Sequence, residues 1–243
     1  MITAKNLLNM REGPNMQNRD EYPSMVALVP MRHHSVRVPG KNYRELAGKP
    51  LYAYILNELL KIPEISEIVV NTDSSVIARG IMDLFPSVRI INRPENLRAD
   101  TVPMNEILLH DVNIVPSKYY LQTHSTNPLL KRETVVKAIK VFYEHYPEKD
   151  SLFGVTRYQT RLWDERGTPV NHDPEVLLRT QDLPSLFEEN SCVYIFERDT
   201  FIRRKNRIGE SPIMFEIDPY ESLDIDNEID FTIVECMINR SAS

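Results

Sequence analysis

The sequence predicts an α/β fold: a doubly wound, mainly parallel sheet with helices on both faces. Three observations lead there. Short apolar runs of strand type alternate with segments of helical spacing from residue 26 to about residue 146. The first run breaks into a turn-rich loop holding Arg32, Arg37 and Lys41, and a helix follows. That is how an α/β domain builds an anion site at the carboxyl end of its first strand. The 243 residues are 42% hydrophobic and 26% charged, the balance of a globular chain long enough for a proper core.

Each element follows from its own pattern. Residues 26–29 are a short buried-type strand. Over 51–60, Leu51, Ile55, Leu59 and Leu60 recur at helical spacing, and Pro50 suits a helix start. A second strand over 67–71 runs into Thr72-Asp73-Ser74, an N-cap cluster for a helix to about Leu84. Residues 88–92 are a third strand, 104–112 a helix and 119–123 a fourth strand. A long amphipathic helix over 131–146 puts Val135, Ala138, Ile139 and Phe142 on one side. Alternation of this kind implies parallel strands joined by helical crossovers.

After Asp150 the pattern changes. Residues 151–157 and 191–196 read as strands. The polar, aromatic-dotted segment between them lacks helical periodicity and is long for a plain loop, so a β-rich excursion over about 157–190, used in oligomerisation, is expected. A helix over 227–238 closes the chain. Residues 1–24 are expected to be a flexible extension, and 25–240 a single domain.

The formal net charge of −6 argues against general nucleic-acid binding, which calls for a dominant basic face, but leaves room for an anionic small ligand held by a few local cations. No run approaches the ~20 apolar residues of a membrane span, and the N-terminus does not read as a signal peptide. Cys192 and Cys236 are too few for a disulfide scaffold; they are expected as buried thiols in a reducing cytoplasm. The cationic loop fits a nucleoside triphosphate better than a neutral ligand, because Arg forks onto phosphate oxygens and Lys adds a mobile charge.

Six motifs in order over 26–235 resemble the acylneuraminate cytidylyltransferase family. They are Pro30-x-Arg32-x-x-Ser35-x-x-x-Pro39-Gly40-Lys41-Asn42; Asn71-Thr72-Asp73-Ser74; Arg93-Pro94-Glu95-x-Leu97-x-x-Asp100-Thr101; Ser125-Thr126-Asn127-Pro128-Leu129; Glu189-Asn190-Ser191-Cys192-Val193-Tyr194-Ile195-Phe196; and Asp224-Ile225-Asp226-x-Glu228-x-Asp230-Phe231. The resemblance implies a Rossmann-like nucleotidyltransferase fold. It implies a reaction in which the anomeric hydroxyl of an acidic ulosonate sugar attacks the α-phosphate of CTP and pyrophosphate leaves. It also implies a homodimer or dimer of dimers.

Carried over residue by residue, it gives Arg32, Lys41 and Asp226 catalytic roles. Arg32, Ser35, Arg37, Lys41, Asn42, Arg93 and Met104 would bind the nucleotide, Arg93 on the base side. His124, or Gln122 beside it, together with Asn190 and Tyr194, would face the acceptor sugar. Asn42 reads equally as a turn or cap residue, Tyr194 as a core residue with a satisfied hydroxyl, and Arg93 as the partner of Glu95 or Asp100. Asp224 and Asp226 stand two apart, so an extended segment turns both carboxylates to one side. Paired hard oxygens suit Mg²⁺, and Asp224 and Asp226 are expected to hold it; the alternative is an acidic cap before the last helix. Arg157, Arg161, Arg179 and Gln181 lie in the excursion, where a cation would meet the acceptor carboxylate or a subunit interface. Trp163 reads as a packing or interface anchor.

The chain departs from the family where its loop has two glycines, here His33 and His34, and a lysine, here Val36. Two imidazoles must avoid positive φ or accept strain, and Arg37 restores the cation one position on. Met104 stands where a serine near the base is common, and Leu130 where an arginine is common. Two rival functions remain at this stage: a glycosyltransferase using Asp224-Ile225-Asp226 as its metal motif, and a non-catalytic nucleotide-binding relative.

Overall fold

A computed structural model describes residues 22–241. The bulk of the expected N-terminal extension, 1–21, lies outside the described residues. Tyr22 stacks on Tyr143, and Tyr143 Oη donates to the Pro23 carbonyl at 2.9 Å, so 22–24 run against a helix.

Seven strands form one sheet. Its parallel half holds β1 (Met25–Leu28), β4 (Ile65–Thr72), β5 (Arg89–Asn92) and β6 (Tyr119–Gln122). The other half holds β7 (Ser151–Tyr158), β8 (Leu186–Glu197) and β9 (Pro212–Glu216). The order is β5-β4-β1-β6-β8-β7-β9, and β8 alone runs antiparallel to its neighbours β6 and β7. The expected mainly parallel sheet is borne out.

Alternation along β1 shows why both faces are covered. Met25 and Ala27 join a core cluster with α1 (Leu51–Leu59), α2 (Ser75–Leu84) and α4 (Arg132–His145). Val26 and Leu28 join the opposite cluster with α3 (Met104–Ile114) and α5 (Arg198–Arg204). A strand buried on both faces must read as a continuous apolar run, which Met25–Leu28 does. A third cluster, with Val38, Leu51, Leu129, Ile225 and Phe231, docks α6 (Glu228–Ser241) beside the first loop.

Local chemistry sets the ends. Ser74 Oγ accepts from the Ile77 amide at 3.2 Å and caps α2. Asn227 Oδ1 accepts from the amides of Ile229 and Asp230 and caps α6, so the helix begins one residue later than expected.

Other differences have physical reasons. A hairpin of β2 (Glu45–Leu46) and β3 (Lys49–Pro50) turns at Ala47 and Gly48, both at positive φ; its two-residue strands are too short to show alternation. β8 starts at Leu186 rather than near 191, because the outward-facing Glu188 and Glu189 hide its first half. The helix α5 and the strand β9 had no sequence signal strong enough to place them. β7 and β8 extend the sheet into the root of the excursion. Beyond them, 159–185 holds one bridge, between Trp163 and Pro169, and a 3-10 turn at Thr180–Asp182. Buried Asn171 ties this loop together: its Oδ1 accepts from the Leu162 amide, and its Nδ2 donates to the carbonyls of Thr160 and Pro184. Cys192 is buried, but Cys236 is exposed on α6, which corrects the expectation of two buried thiols.

Candidate active site

The cleft lies beyond the carboxyl ends of β1, β4 and β6, where an open α/β sheet places its ligand. Its volume is roughly 320 Å³. The first loop contributes Pro30, Arg32, Ser35, Lys41 and Asn42. The segment after β5 contributes Arg93, Arg98, Asp100 and Met104. His124, Ser125 and Thr126 follow β6, Ser191 comes from β8, and Asp224 and Asp226 precede α6.

Side chains fix the first loop. Asn42 Nδ2 donates to the Arg32 carbonyl at 2.8 Å, and its Oδ1 accepts from Ser125 Oγ at 2.8 Å. Both ends of that amide are taken, so Asn42 lines the cleft mainly as the brace of the loop. Neither His33 nor His34 sits at positive φ. The His33 amide donates to Asp73 Oδ1 at 2.7 Å, its Nδ1 bonds Ser74 Oγ at 2.7 Å, and its ring stacks on Tyr43. The imidazole thus pins the loop to the end of β4, where glycines would have left the backbone free. Gly40, at φ 67°, is required where the loop turns: a Cβ there would stand 2.8 Å from the Tyr43 ring.

The cations and acids meet. Lys41 Nζ donates to the Ile225 carbonyl and lies 3.3 Å from Asp226 Oδ1. Arg37 Nη2 is 2.9 Å from the same oxygen, so Arg37 sits at the acidic end of the cleft. Arg32 Nη1 pairs with Asp100 Oδ1 at 2.5 Å. Asp100, offered by the sequence as a partner for Arg93, therefore serves Arg32 instead.

Arg93 is almost fully buried. Its Nε donates to Asn71 Oδ1 at 2.7 Å, and its Nη2 reaches the carbonyls of Asn71 and Met31. Burial lowers its pKa, opposed by Asp73 and Asp111. Neither Glu95 nor Asp100 pairs with it, and it lines the same cleft as Met104.

Ile225 is fully buried while the carboxylates on either side of it line the cleft, so the expected alternation holds. Asp230 Oδ2 accepts from the amides of Asp226 and Asn227 at 2.9 Å, steadying the pair from behind, and Glu228 pairs outward with Arg44. Asp224 Oδ1 is buried with no hydrogen-bond partner. Desolvation raises the pKa of Asp224, and Asp226 and Asp230 add repulsion against the Thr126 hydrogen bond and the Lys41 charge. A buried anionic oxygen without a partner is a feature that a hard divalent cation satisfies. Among the described residues no cluster of three or more His, Cys, Asp or Glu is placed for a metal, so the remaining ligands would have to be water and phosphate oxygens.

The structure sorts the residues expected to face an acceptor. His124 reaches the cleft. Gln122 and Tyr194 are fully buried and line neither the cleft nor the pocket next to it, which corrects them as direct contacts. Their hydrogen-bonding groups are spent on neighbours behind His124: Gln122 on Thr123, His124 and Arg207, and the Tyr194 hydroxyl on Glu189. Asn190 lines the adjoining pocket with Glu188, Glu189, Ser191 and Asp224 while bonding Thr156 Oγ1 and the Cys192 amide. A register shift between Phe153 and Val155 shapes this wall: a Cβ on Gly154 would fall 2.6 Å from Asn190 Oδ1. Arg157, Arg161 and Arg179 bind within the excursion, to Ser185, the Leu178 carbonyl and Asp182, and line neither pocket. Sequence reasoning assigned no role to Arg98, Thr126 and Ser191, which line the cleft from loops or a bulge, although Thr126 and Ser191 stand inside two of the six motifs. Nor did it assign one to Arg207, which stands behind His124 on Gln122 and carries no spacing signal.

The family described as cytidylyltransferase matches residues 26–236. The CMP-N,N'-diacetyllegionaminic acid synthase of Legionella pneumophila subsp. pneumophila is 30% identical over 233 residues, covering 87% of this chain and 94% of that protein. The post-translational flagellin modification protein B of Campylobacter coli is 25% identical over 220 residues, covering 86% and 92%. A CMP:2-keto-3-deoxy-manno-octonic acid synthetase solved with CTP superposes with a TM-score of 0.69, covering 90% of this chain and 99% of that one; at 14% identity it speaks to the fold alone.

Proposed function

The chain belongs to the cytidylyltransferase family, and we propose that it joins CMP from CTP to the anomeric hydroxyl of an acidic ulosonate sugar, releasing pyrophosphate. One observation carries this reading: Arg32 and Lys41 share a cleft with Asp224 and Asp226. That arrangement suits a polyphosphate between cations on one wall and a metal-binding pair on the other. The named activity of the Legionella relative supports an acidic sugar of the legionaminic acid kind as acceptor.

In this mechanism the anomeric oxygen attacks the α-phosphorus, the bond to the bridging oxygen breaks, and the hydroxyl proton is released. Arg32, with Ser35 and the braced backbone of the loop, holds the leaving phosphates. Lys41 places an ammonium against the charge that develops on them. Asp224 and Asp226 would hold Mg²⁺, which supplies charge neutralisation at the phosphates when bound. Arg37 must loosen its grip on Asp226 for that oxygen to serve the cation. Met104 and Arg93 form the base-side wall, and His124 faces the acceptor. Positioning and charge neutralisation carry most of the rate in such transfers.

A homodimer fits the excursion, where Leu177 is 86% exposed, Trp163 53% and Phe187 43%, apolar side chains that a second copy of the chain would cover. Among the described residues no helix is long and apolar enough to cross a membrane, and we place the enzyme in the cytoplasm, where CTP is made available.

Incubation with CTP, Mg²⁺ and a panel of ulosonates, read by pyrophosphate release and product mass, tests the function. A CMP-sugar product is expected. Binding of intact nucleotide sugars with no pyrophosphate chemistry would instead favour the glycosyltransferase reading. Light scattering of the purified chain tests the dimer.

A further inference from the structure

Behind His124 a line of side chains has only one consistent hydrogen-bond polarity. Arg207 follows α5; Asn105 Oδ1 accepts from its backbone amide at 3.2 Å, and its guanidinium carbon lies 3.5 Å above the centre of the Tyr194 ring. Its Nη2 is 3.5 Å from Glu189 Oε1, which also accepts from the Tyr194 hydroxyl. Its Nη1 donates to Gln122 Oε1 at 2.6 Å.

A guanidinium only donates, so the Gln122 atom facing it must be the amide oxygen. The other end of that amide meets the Thr123 carbonyl at 3.1 Å, which only accepts and must face the amide nitrogen. Two neighbours of opposite character therefore fix the Gln122 orientation. The same Nε2 is 3.0 Å from His124 Nε2. A primary amide nitrogen only donates, so His124 Nε2 offers its lone pair. The ring proton then resides on Nδ1, which has no hydrogen-bond partner among the described residues, and the ring lines the cleft.

We propose that Arg207 is a positioning residue: acting through Gln122, it holds His124 as the neutral Nδ1–H tautomer and so presents a hydrogen-bond donor, not a base, to an oxygen of the acceptor. Burial, with the charges of Arg207 and Lys41, pushes the His124 pKa down to about 3, in keeping with a neutral ring. A donor at this point selects an acceptor with a carboxylate, carbonyl or hydroxyl oxygen there, and it leaves removal of the nucleophile's proton to another group. The assignment of the donor to the acceptor sugar rests on the proposed transfer reaction; the tautomer itself does not.

The ¹⁵N shifts of the His124 ring, read by two-bond correlation NMR on the ligand-free protein, test the tautomer without any turnover. The expected result is a protonated Nδ1 and an unprotonated Nε2. In Gln122→Glu a carboxylate oxygen replaces the donor, and the proton is expected to move to Nε2. A proton on Nε2 in the parent protein, or one that stays on Nδ1 in folded Gln122→Glu, would overturn the proposal. Arg207→Met is expected to give a mixture of tautomers and to raise the acceptor KM about tenfold, the scale of one buried hydrogen bond, with the KM for CTP nearly unchanged. Arg207→Lys, which keeps a donor, should restore the tautomer and part of the affinity. Equal losses in both variants, or a CTP effect as large as the acceptor effect, would make Arg207 merely structural. If the tautomer is as expected but no acceptor turns over, the transfer reaction fails while the hydrogen-bond line stands.

Discussion

Lys41 and Asp226 are 185 positions apart in the chain and 3.3 Å apart in space. The contact joins the loop after the first strand to the segment before the last helix. Lys41 is anchored as well on the Ile225 carbonyl, so the ammonium is held beside the acidic pair before any ligand arrives. Placing charge in advance is how a phosphate-handling site avoids reorganisation during reaction.

Asp226→Ala should therefore separate catalysis from folding. The Asp226 side chain is 42% exposed, and ion pairs at that exposure are worth about 0–1 kcal/mol. The melting temperature should scarcely move. Turnover should fall on the order of 10³-fold or more, the scale of losing a metal ligand or a transition-state electrostatic partner. Pyrophosphate release and thermal unfolding on one preparation decide it. Undiminished turnover would remove Asp226 from the chemistry.

Asp224 gives a prediction with a definite sign. Its folded pKa is raised by burial and by Asp226 and Asp230, so between the unfolded and folded pKa values the native state holds more protons than the unfolded one. Stability from this group is fully present below the unfolded pKa of about 3.9, and it is lost as pH rises through the folded value. Asp224→Asn removes the buried charge. The variant should melt above the parent at neutral pH and converge with it near the acid end. Mg²⁺ with CTP should raise the melting temperature of the parent more than that of the variant, by ligand linkage. A variant less stable at neutral pH would contradict the raised pKa.

The parallel part of the sheet, the helices that cross between its strands and the cationic loop were legible because periodic apolar runs and turn residues act locally, whereas the order of the strands was not. Asp224 and Asp226 were legible because two-residue alternation needs only one buried anchor, Ile225. Gln122 and Tyr194 were expected to face the acceptor but lie behind His124, since a strand's pattern tells which residues share a face and not which of them a neighbour covers. Arg207 covers both, and it sits in a polar loop whose sequence resembles any surface segment. The β8 extension was hidden for a related reason: Glu188 and Glu189 are strand residues turned to a pocket, so their polarity reads as loop.

Ile225 links stability to activity without carrying any reactive group. It is fully buried among Val38, Leu51, Leu129 and Phe231, and its amide donates to the Thr126 carbonyl at 2.9 Å. Ile225→Ala should cost about 2–5 kcal/mol, and Ile225→Val about 0.5–1.5 kcal/mol. Because the side chain is the pivot between the two carboxylates, kcat should fall in the same order, measured well below each variant's melting temperature. Lost stability with kcat intact would mean that the backbone contacts of Asp230 and Thr126 position the acids unaided.

Ser191 offers a test that reverses a familiar order. In strand interiors Gly is less favourable than Ala by roughly 0.5–1 kcal/mol. Ser191 lies inside β8 but has φ 60°, in the left-handed region that penalises any Cβ. Its hydroxyl gains only a long contact, 3.5 Å, with the Tyr194 hydroxyl. Ser191→Gly should therefore unfold at higher denaturant than Ser191→Ala, by the equivalent of about 1 kcal/mol, with the parent between them or level with the glycine variant. The same side chain borders both the cleft and the adjoining pocket. Its removal widens the passage between the two, where the proposed mechanism brings the acceptor to the α-phosphate, so the glycine variant should show a raised KM for the acceptor despite its greater stability. If alanine proves the more stable replacement, residue 191 is not held left-handed in solution, and the strained bulge cannot be what shapes this wall of the site.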